Sequence, residues 1–371
     1  MHRIIVWVRN VSQRAAAVGP IRPARRSRLR AASLVDAMVG LAVAMLSLVI
    51  VYQAFIATDA VRRNAATAAD AHGSAAFALF TLAAQITGAG AGWASAARWL
   101  DTCPVIANVA TTLRPVAVLI TEGGGASRPD SLVVRQTFAR RLALPAAVAA
   151  AADAGTHVRA QSADGFMAGD RIVAVTRTGN CVTTEVSAVA APSAGVVDVT
   201  HTGVAIDLPI TTVLLNLGAA SRASTLRFDA VSEALRSQDL ANGDAPVPLT
   251  SNVVNLKFQY GIDSDGDGAL DTWARADAAG PWSPGVLLAA PRATLGRIKA
   301  IRVGIIVRTE RTDRTLTRDF HWVLFDCEQD DKAACPGRLE GTIPGSANGS
   351  YRYRVLETVI PLRNVMWNRS G

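Results

Sequence analysis

Residues 34–57 read LVDAMVGLAVAMLSLVIVYQAFIA, and Asp36 is the single charge among them. As a helix this stretch is about 36 Å long, enough to cross a hydrocarbon layer of about 30 Å. Residues 1–31 carry Arg3, Arg9, Arg14, Arg22, Arg25, Arg26, Arg28 and Arg30 and no acid. By the positive-inside rule that asymmetry holds the N-terminus in the cytoplasm and places the chain beyond Ala57 outside. The sequence after the apolar run, Ala57-Thr58-Asp59-Ala60-Val61, lacks a small-x-small cleavage site, and the run is too long for a secretory signal core. The segment therefore reads as an anchor. A carboxylate inside such a segment costs about 2.5 to 3.5 kcal/mol, so Asp36 implies a partner. The nearest partner is an amino group newly made by removal of the basic leader.

Apolar residues continue at helical spacing through Val61, Ala65, Ala68, Ala76, Leu79, Phe80, Ala83 and Ile86. This predicts one helix from about Leu34 to Ile86, about 80 Å long. Its first half is bare and its second half has an apolar stripe for docking on a globular head. His72 falls on that stripe as a packing residue, and Gly73 costs the helix about 1 kcal/mol relative to Ala. Gly88, Gly90 and Gly92 end the helix; this Gly-x-Gly-x-Gly follows a helix rather than a strand and is no dinucleotide loop.

Beyond residue 93 the pattern turns to short alternating runs. Expected strands are Val116–Thr121, Ser131–Phe138, Arg171–Thr176, Cys181–Val189, Val196–Thr200, Thr225–Phe228, Val253–Tyr260, Arg302–Arg308, Phe320–Phe325 and Tyr351–Pro361. They predict a mainly antiparallel sheet packed on the helix. Ala139–Ala154 reads as a short surface helix or loop, and the turn-rich pieces 122–129, 241–247 and 337–350 as insertions or seams. No internal repeat is present. The organisation is thus a leader at 1–31, a membrane helix at 32–57, its amphipathic continuation at 58–87 and a β-rich extracytoplasmic head at 88–371.

The chain has 38 basic and 30 acidic residues, and the leader's eight arginines account for the whole excess. The high pI therefore argues for membrane topology and not for nucleic acid. The five histidines, His2, His72, His157, His201 and His321, are far apart in sequence. Without a Gly-x-Ser-x-Gly or a phosphate loop, the expected function is not enzymatic.

Cys103, Cys181, Cys327 and Cys335 all lie beyond the membrane segment, and an even count outside the cytoplasm points to disulfides. Three connectivities are possible; the short polar loop 328–334 favours Cys327–Cys335, which leaves Cys103–Cys181. The strongest chemical motif is Asp263-Ser-Asp265-Gly-Asp267-Gly-Ala269-Leu-Asp271. Alternating acids aim hard oxygens at one point, as in the first nine positions of a calcium loop. Asp263, Asp265 and Asp267 would bind Ca2+ through their side chains, Ala269 through its carbonyl, and Asp271 directly or through water. The twelfth position is Ala274, so the bidentate glutamate of an EF-hand is missing; Asp277 would replace it only if the chain folds back. The expected role is structural.

The stretch from Ala31 to Asp36 resembles the N-terminal signature of type IV pilins and pseudopilins, in which a prepilin peptidase cuts before the apolar helix. Ala31 takes the position before the cut, Ala32 becomes the new N-terminus, and Ser33, Leu34 and Val35 match the pattern. Ala31, Ala32 and Asp36 stand where the family has Gly, Phe and Glu. Further on, the chain is similar to the PilW family of type IV pilus assembly proteins. The similarity lies in Ala75–Phe80 with Ala84–Gly90, Gly169–Val173 with Cys181–Val186, Val253–Asp263 with the acidic loop, Arg302–Thr309, and Tyr351–Asn364.

The resemblance implies a type IV pilin-like α+β fold: a long N-terminal helix packed on a mainly antiparallel β-sheet head. It implies a low-copy minor pilin that initiates or caps a pilus, with a methylated N-terminus at Ala32 and with Asp36 pairing to a neighbour's amine. Its partners would be other minor and major pilins, the prepilin peptidase and the inner-membrane assembly platform. It would sit in the inner membrane before assembly and in the pilus afterwards. The rival readings are a type II secretion pseudopilin of the J type and a membrane-anchored binding module that never polymerises.

Overall fold

The structure, a computed structural model, describes residues 34–91, 106–107, 116–136, 145–150, 152–162, 165–176, 181–202, 206–219, 225–240, 244–312, 318–327, 335–345 and 351–366. It is an α+β protein: a long apolar N-terminal helix and then a largely antiparallel β region. Two compact units are distinguished, residues 1–60 and 61–371.

Helix α1 runs from Leu34 to Gly88 without a break at Gly73. In the first unit its large apolar side chains are exposed, from Leu34 and Met38 to Ile50 and Phe55. Ser47 Oγ donates to the Val43 carbonyl at 2.9 Å and Thr58 Oγ1 to that of Ala54 at 2.8 Å. These two hydroxyls are thus satisfied within the helix itself, as a hydrocarbon surrounding requires.

In the second unit α1 buries Ala71, Ala75, Ala78, Leu82, Ile86 and Ala89 in the main core. The spacing of three and four confirms a docked stripe but changes its phase. Val61, Ala65, Ala76 and Phe80 face solvent, and His72 is exposed. The physical reason is size: alanines let the helix come close to a sheet, whereas Phe77 and Phe80, 52% and 72% exposed, would hold it away. Gly90, with φ +76°, turns the chain out of the helix in a conformation that favours glycine. The Asn364 side-chain amide then donates to the carbonyls of Thr87, Gly88 and Ala89 at 3.4, 3.3 and 3.0 Å. A residue near the end of the chain caps the long helix.

Two antiparallel sheets share this core. The five-stranded sheet has the order Val247–Ser251, Ala234–Asp239, Thr225–Val231, Ser131–Arg135, Val118–Thr121. The four-stranded sheet has the order Thr272–Ala274, Val253–Ile262, Ile298–Arg308, Tyr353–Pro361. One face of the latter, carrying Leu256, Phe258, Tyr260, Ile301, Val303 and Ile305, enters the core with α1. Its other face packs Ile306 against the hairpin formed by Phe320–Leu324 and Leu339–Ile343, through Trp322, Leu324 and Phe325. Arg302 lies on that face between the rings of Trp273 and Phe325, at 4.8 and 4.4 Å.

The expected antiparallel sheet packed on the helix is joined by a second body that the sequence reading did not include. Cys181–Val189, Asp170–Val175, Val213–Ala219, Ala146–Ala150, His157–Ala160 and Val197–Thr202 pair in that order, and the last strand pairs back to the first. They form a closed six-stranded barrel with its own core, built from Ala146, Val148, Val158, Ala160, Ile172, Ala174, Val186, Val199 and Leu214. The described part of the segment read as a surface helix or loop instead forms the strands Ala146–Ala150 and Ala152–Gly155. Alanine has little strand propensity, but a narrow barrel needs small inward side chains, and cross-strand pairing supplies the hydrogen bonds. The barrel is an insertion: the chain leaves the five-stranded sheet at Arg135 and returns at Thr225, which are direct cross-strand partners.

Candidate functional site

Three features hold residues singled out by the sequence. The first is the start of α1. Asp36 lies in its exposed first turn, while Ala31 and Ala32 lie outside the described residues. The helix is long and apolar enough to cross a membrane.

The second is the acidic loop between Val253–Ile262 and Thr272–Ala274. Asp263, Asp265 and Asp267 can each bring a carboxylate oxygen within 4.8 Å of the others. Gly266 and Gly268, at φ +87° and +96°, make the bends that allow this convergence. Their N–H groups donate to Asp263 Oδ1 and Oδ2 at 2.6 and 2.9 Å. Asp265 accepts from the N–H of Asp267 at 3.1 Å and Asp267 from that of Ala269 at 2.6 Å. Asp271 accepts from both N–H and Oγ of Ser264, each at 2.6 Å, and so closes the loop on itself. The Lys299 ammonium stands 3.2 Å from Asp263 Oδ2. Burial pushes the Asp263 carboxyl up, but the Gly266 N–H, Lys299 and the Gly268 N–H together hold it below its ordinary value. The Asp277 carboxylate is 3.4 Å from the Arg275 guanidinium, which also pairs with Glu122.

The third feature is the cysteines. Cys327 and Cys335 are bonded to each other, with Cα atoms 5.7 Å apart. Cys181, at the start of a barrel strand, is also disulfide-bonded. Cys103 lies outside the described residues.

Sequence reasoning missed a buried ion pair. Lys257 Nζ is 2.7 Å from Asp130 Oδ1 and 2.7 Å from the Gly125 carbonyl. The N–H groups of Gly123 and Phe258 reach the same carboxylate at 3.0 and 3.1 Å. Burial pushes the Asp130 carboxyl above its ordinary value, against the pull of Lys257. The available signal was Lys257 as the single charge in the strand Val253–Ile262, since a lysine is almost never fully buried unless paired.

A helix of exposed apolar residues whose later turns dock on a β-rich body defines an α+β protein with a candidate N-terminal membrane helix. Residues 221–364 match the family model described as Type IV Pilus-assembly protein W, so over that stretch the chain is similar to this family of type IV pilus assembly proteins. That stretch takes in three strands of the five-stranded sheet, the acidic loop, the four-stranded sheet and Asn364; α1 and the barrel precede it. No curated protein and no solved structure matches the chain.

Proposed function

We propose that this chain is a minor pilin, a low-copy subunit that initiates or caps a type IV pilus. The observation that carries the reading is α1 itself: one helix offers exposed apolar turns with a single acid at their start, then docks its later turns on the PilW-like head. Cleavage between Ala31 and Ala32 frees an amino group, and Asp36 pairs with that group on a neighbouring subunit as the helices gather in the filament. Before assembly the N-terminus is cytoplasmic and the head periplasmic, as the arginine-rich leader supports. The partners are other minor and major pilins, the prepilin peptidase and the inner-membrane platform. In the source cell, replacing the chain with Asp36→Ala should cut surface piliation while the protein stays in the membrane; unchanged piliation would overturn the assembly role.

We further infer that the acidic loop takes a structural calcium ion. Asp263, Asp265 and Asp267 supply side-chain oxygens, the Ala269 carbonyl and Asp271 complete the set, and Lys299 gives way as the ion enters. With no twelfth-position carboxylate, the affinity should lie near about 10⁻⁴ to 10⁻³ M. Calorimetric titration of the purified protein with calcium chloride should give a saturable heat that Asp265→Asn with Asp267→Asn abolishes. No heat at millimolar calcium would remove the ion from the loop.

A further inference from the structure

His201 sits on the strand Val197–Thr202, in the alternation that points Val197 and Val199 into the barrel core. It is 2% exposed and pairs in register with Val186, another core residue. Its Nδ1 lies 3.3 Å from Thr184 Oγ1, and its Nε2 is buried without a hydrogen-bond partner among the described residues. The charged and titratable groups of the strands flanking it face outward: Glu185 on one side, His157 and Arg159 on the other, with Asp198 of its own strand paired to Arg159. Asp170, buried on a further strand, is held by the Asn216 amide at 2.8 Å and the Met167 N–H at 2.9 Å. None of these neighbours places a counter-charge on the His201 ring.

We propose that the inserted barrel is an acid-opening unit: a proton on His201 loosens the barrel while the two sheets bearing the PilW match stay folded. The proton adds to the unpartnered Nε2 and puts a charge among Val186, Val199 and Thr184, where an uncompensated ion is strongly disfavoured. Burial, helped by His157, outweighs a hydrogen bond to the Thr202 backbone and holds this histidine below its ordinary value of 6.5. A lowered histidine pKa means that the fold binds the proton less readily than the open chain does. The contribution to stability is thus complete above pH 6.5 and is lost as the pH falls through the folded value. Topology confines the effect. The barrel has a core separate from the main one and joins the sheet through the paired residues Arg135 and Thr225, so it can open as a local unit. In the minor pilin proposed above, such a unit would alter the exposed head in acid without releasing the helix.

The test is hydrogen–deuterium exchange on the full-length protein in detergent at about pH 7.5 and 5.5, corrected for intrinsic exchange. Opening of the strands 181–189 and 197–202 should increase by up to about tenfold per pH unit below 6.5, the limit for one proton. The strands 253–262 and 298–308 should not change, and His201→Gln should flatten the barrel's response. Equal barrel protection at both pH values, loss of barrel and sheets together, or the same slope in His201→Gln would overturn the proposal. If that variant fails to fold, NMR of the wild-type histidine ring protons decides. Titration of His201 at or above 6.5 overturns it, and titration below 6.5 in step with barrel opening supports it. Because every readout is a property of the isolated protein, the result does not depend on whether the chain enters a pilus.

Discussion

Replacing Lys257 with Met should destabilise the head by about 3 to 5 kcal/mol, the cost of breaking a buried pair by removing one partner. Lys257 is 1% exposed and its aliphatic stem fills the same space as Met, so the change removes charge without opening a cavity. Among the described residues the Asp130 carboxylate is then left buried with the N–H groups of Gly123 and Phe258 alone, while the Gly125 carbonyl keeps the Arg128 N–H and loses its charged donor. Over about 310 residues in this unit, an unfolding entropy of roughly 2.1 cal/mol/K per residue converts the loss to about 5 to 8 °C in Tm.

The assay is thermal and urea unfolding of the detergent-purified chain, monitored by circular dichroism. Adding Asp130→Asn to Lys257→Met should restore part of the loss, because no charge remains buried, although the amide oxygen keeps only one of the two N–H bonds that Oδ1 and Oδ2 share between them. The Asp130 carboxyl, already raised by burial, rises further without the ammonium. A raised carboxyl contributes stability that is present in acid and lost as the pH climbs through the folded value, so the deficit of Lys257→Met should shrink in acid. A loss below about 1 kcal/mol, or a double variant no better than the single one, would refute the reasoning.

Leu82→Ala, on the docked stripe of α1, should cost about 2 to 5 kcal/mol, whereas Phe80→Ala should change stability by less than about 0.5 kcal/mol, both measured by urea unfolding. Asn364→Ala removes the amide that caps three carbonyls of α1 and should cost about 1 to 3 kcal/mol in the same assay. Ser232 and Glu233, at φ +52° and +59°, form the two-residue turn between Thr225–Val231 and Ala234–Asp239; Ser232→Asn should raise stability by about 0.5 kcal/mol. Replacing residues 137–223 by a short Asn-Gly turn should leave the sheets folded, with the protease resistance of residues 225–362 unchanged, since Arg135 and Thr225 are already neighbours.

Much of the fold was legible because it is local. The alternating runs at 131–135, 181–189, 253–262, 298–308 and 353–361 all became strands near the expected bounds, and the apolar stretch after residue 33 became a helix long enough for a membrane. The barrel was not legible because its closure is a pairing of Val186 with His201 across a hairpin, and no periodicity marks it. Val213–Ala219 was missed because it is apolar on both faces and bulged between Asn216 and Gly218. The docked phase of α1 was partly misread because Phe80 outweighs alanine in any hydrophobic pattern, yet Ala71, Ala75 and Ala78 approach the sheets while Phe80 stays exposed. At the acidic loop the three alternating carboxylates are plain in sequence, while Lys299 on Asp263 and the Lys257–Asp130 pair join residues 36 and 127 positions apart.

The central claim is that the basic leader is cut away to free an amino terminus beside Asp36. The most direct measurement is the mass and N-terminal sequence of the membrane-extracted protein, produced with and without a prepilin peptidase. The account predicts a chain beginning at Ala32, with a methylated amine, only when the peptidase is present. An intact Met1 in both preparations, or a start beyond Ala57, would contradict it and leave an anchored or secreted head that does not polymerise.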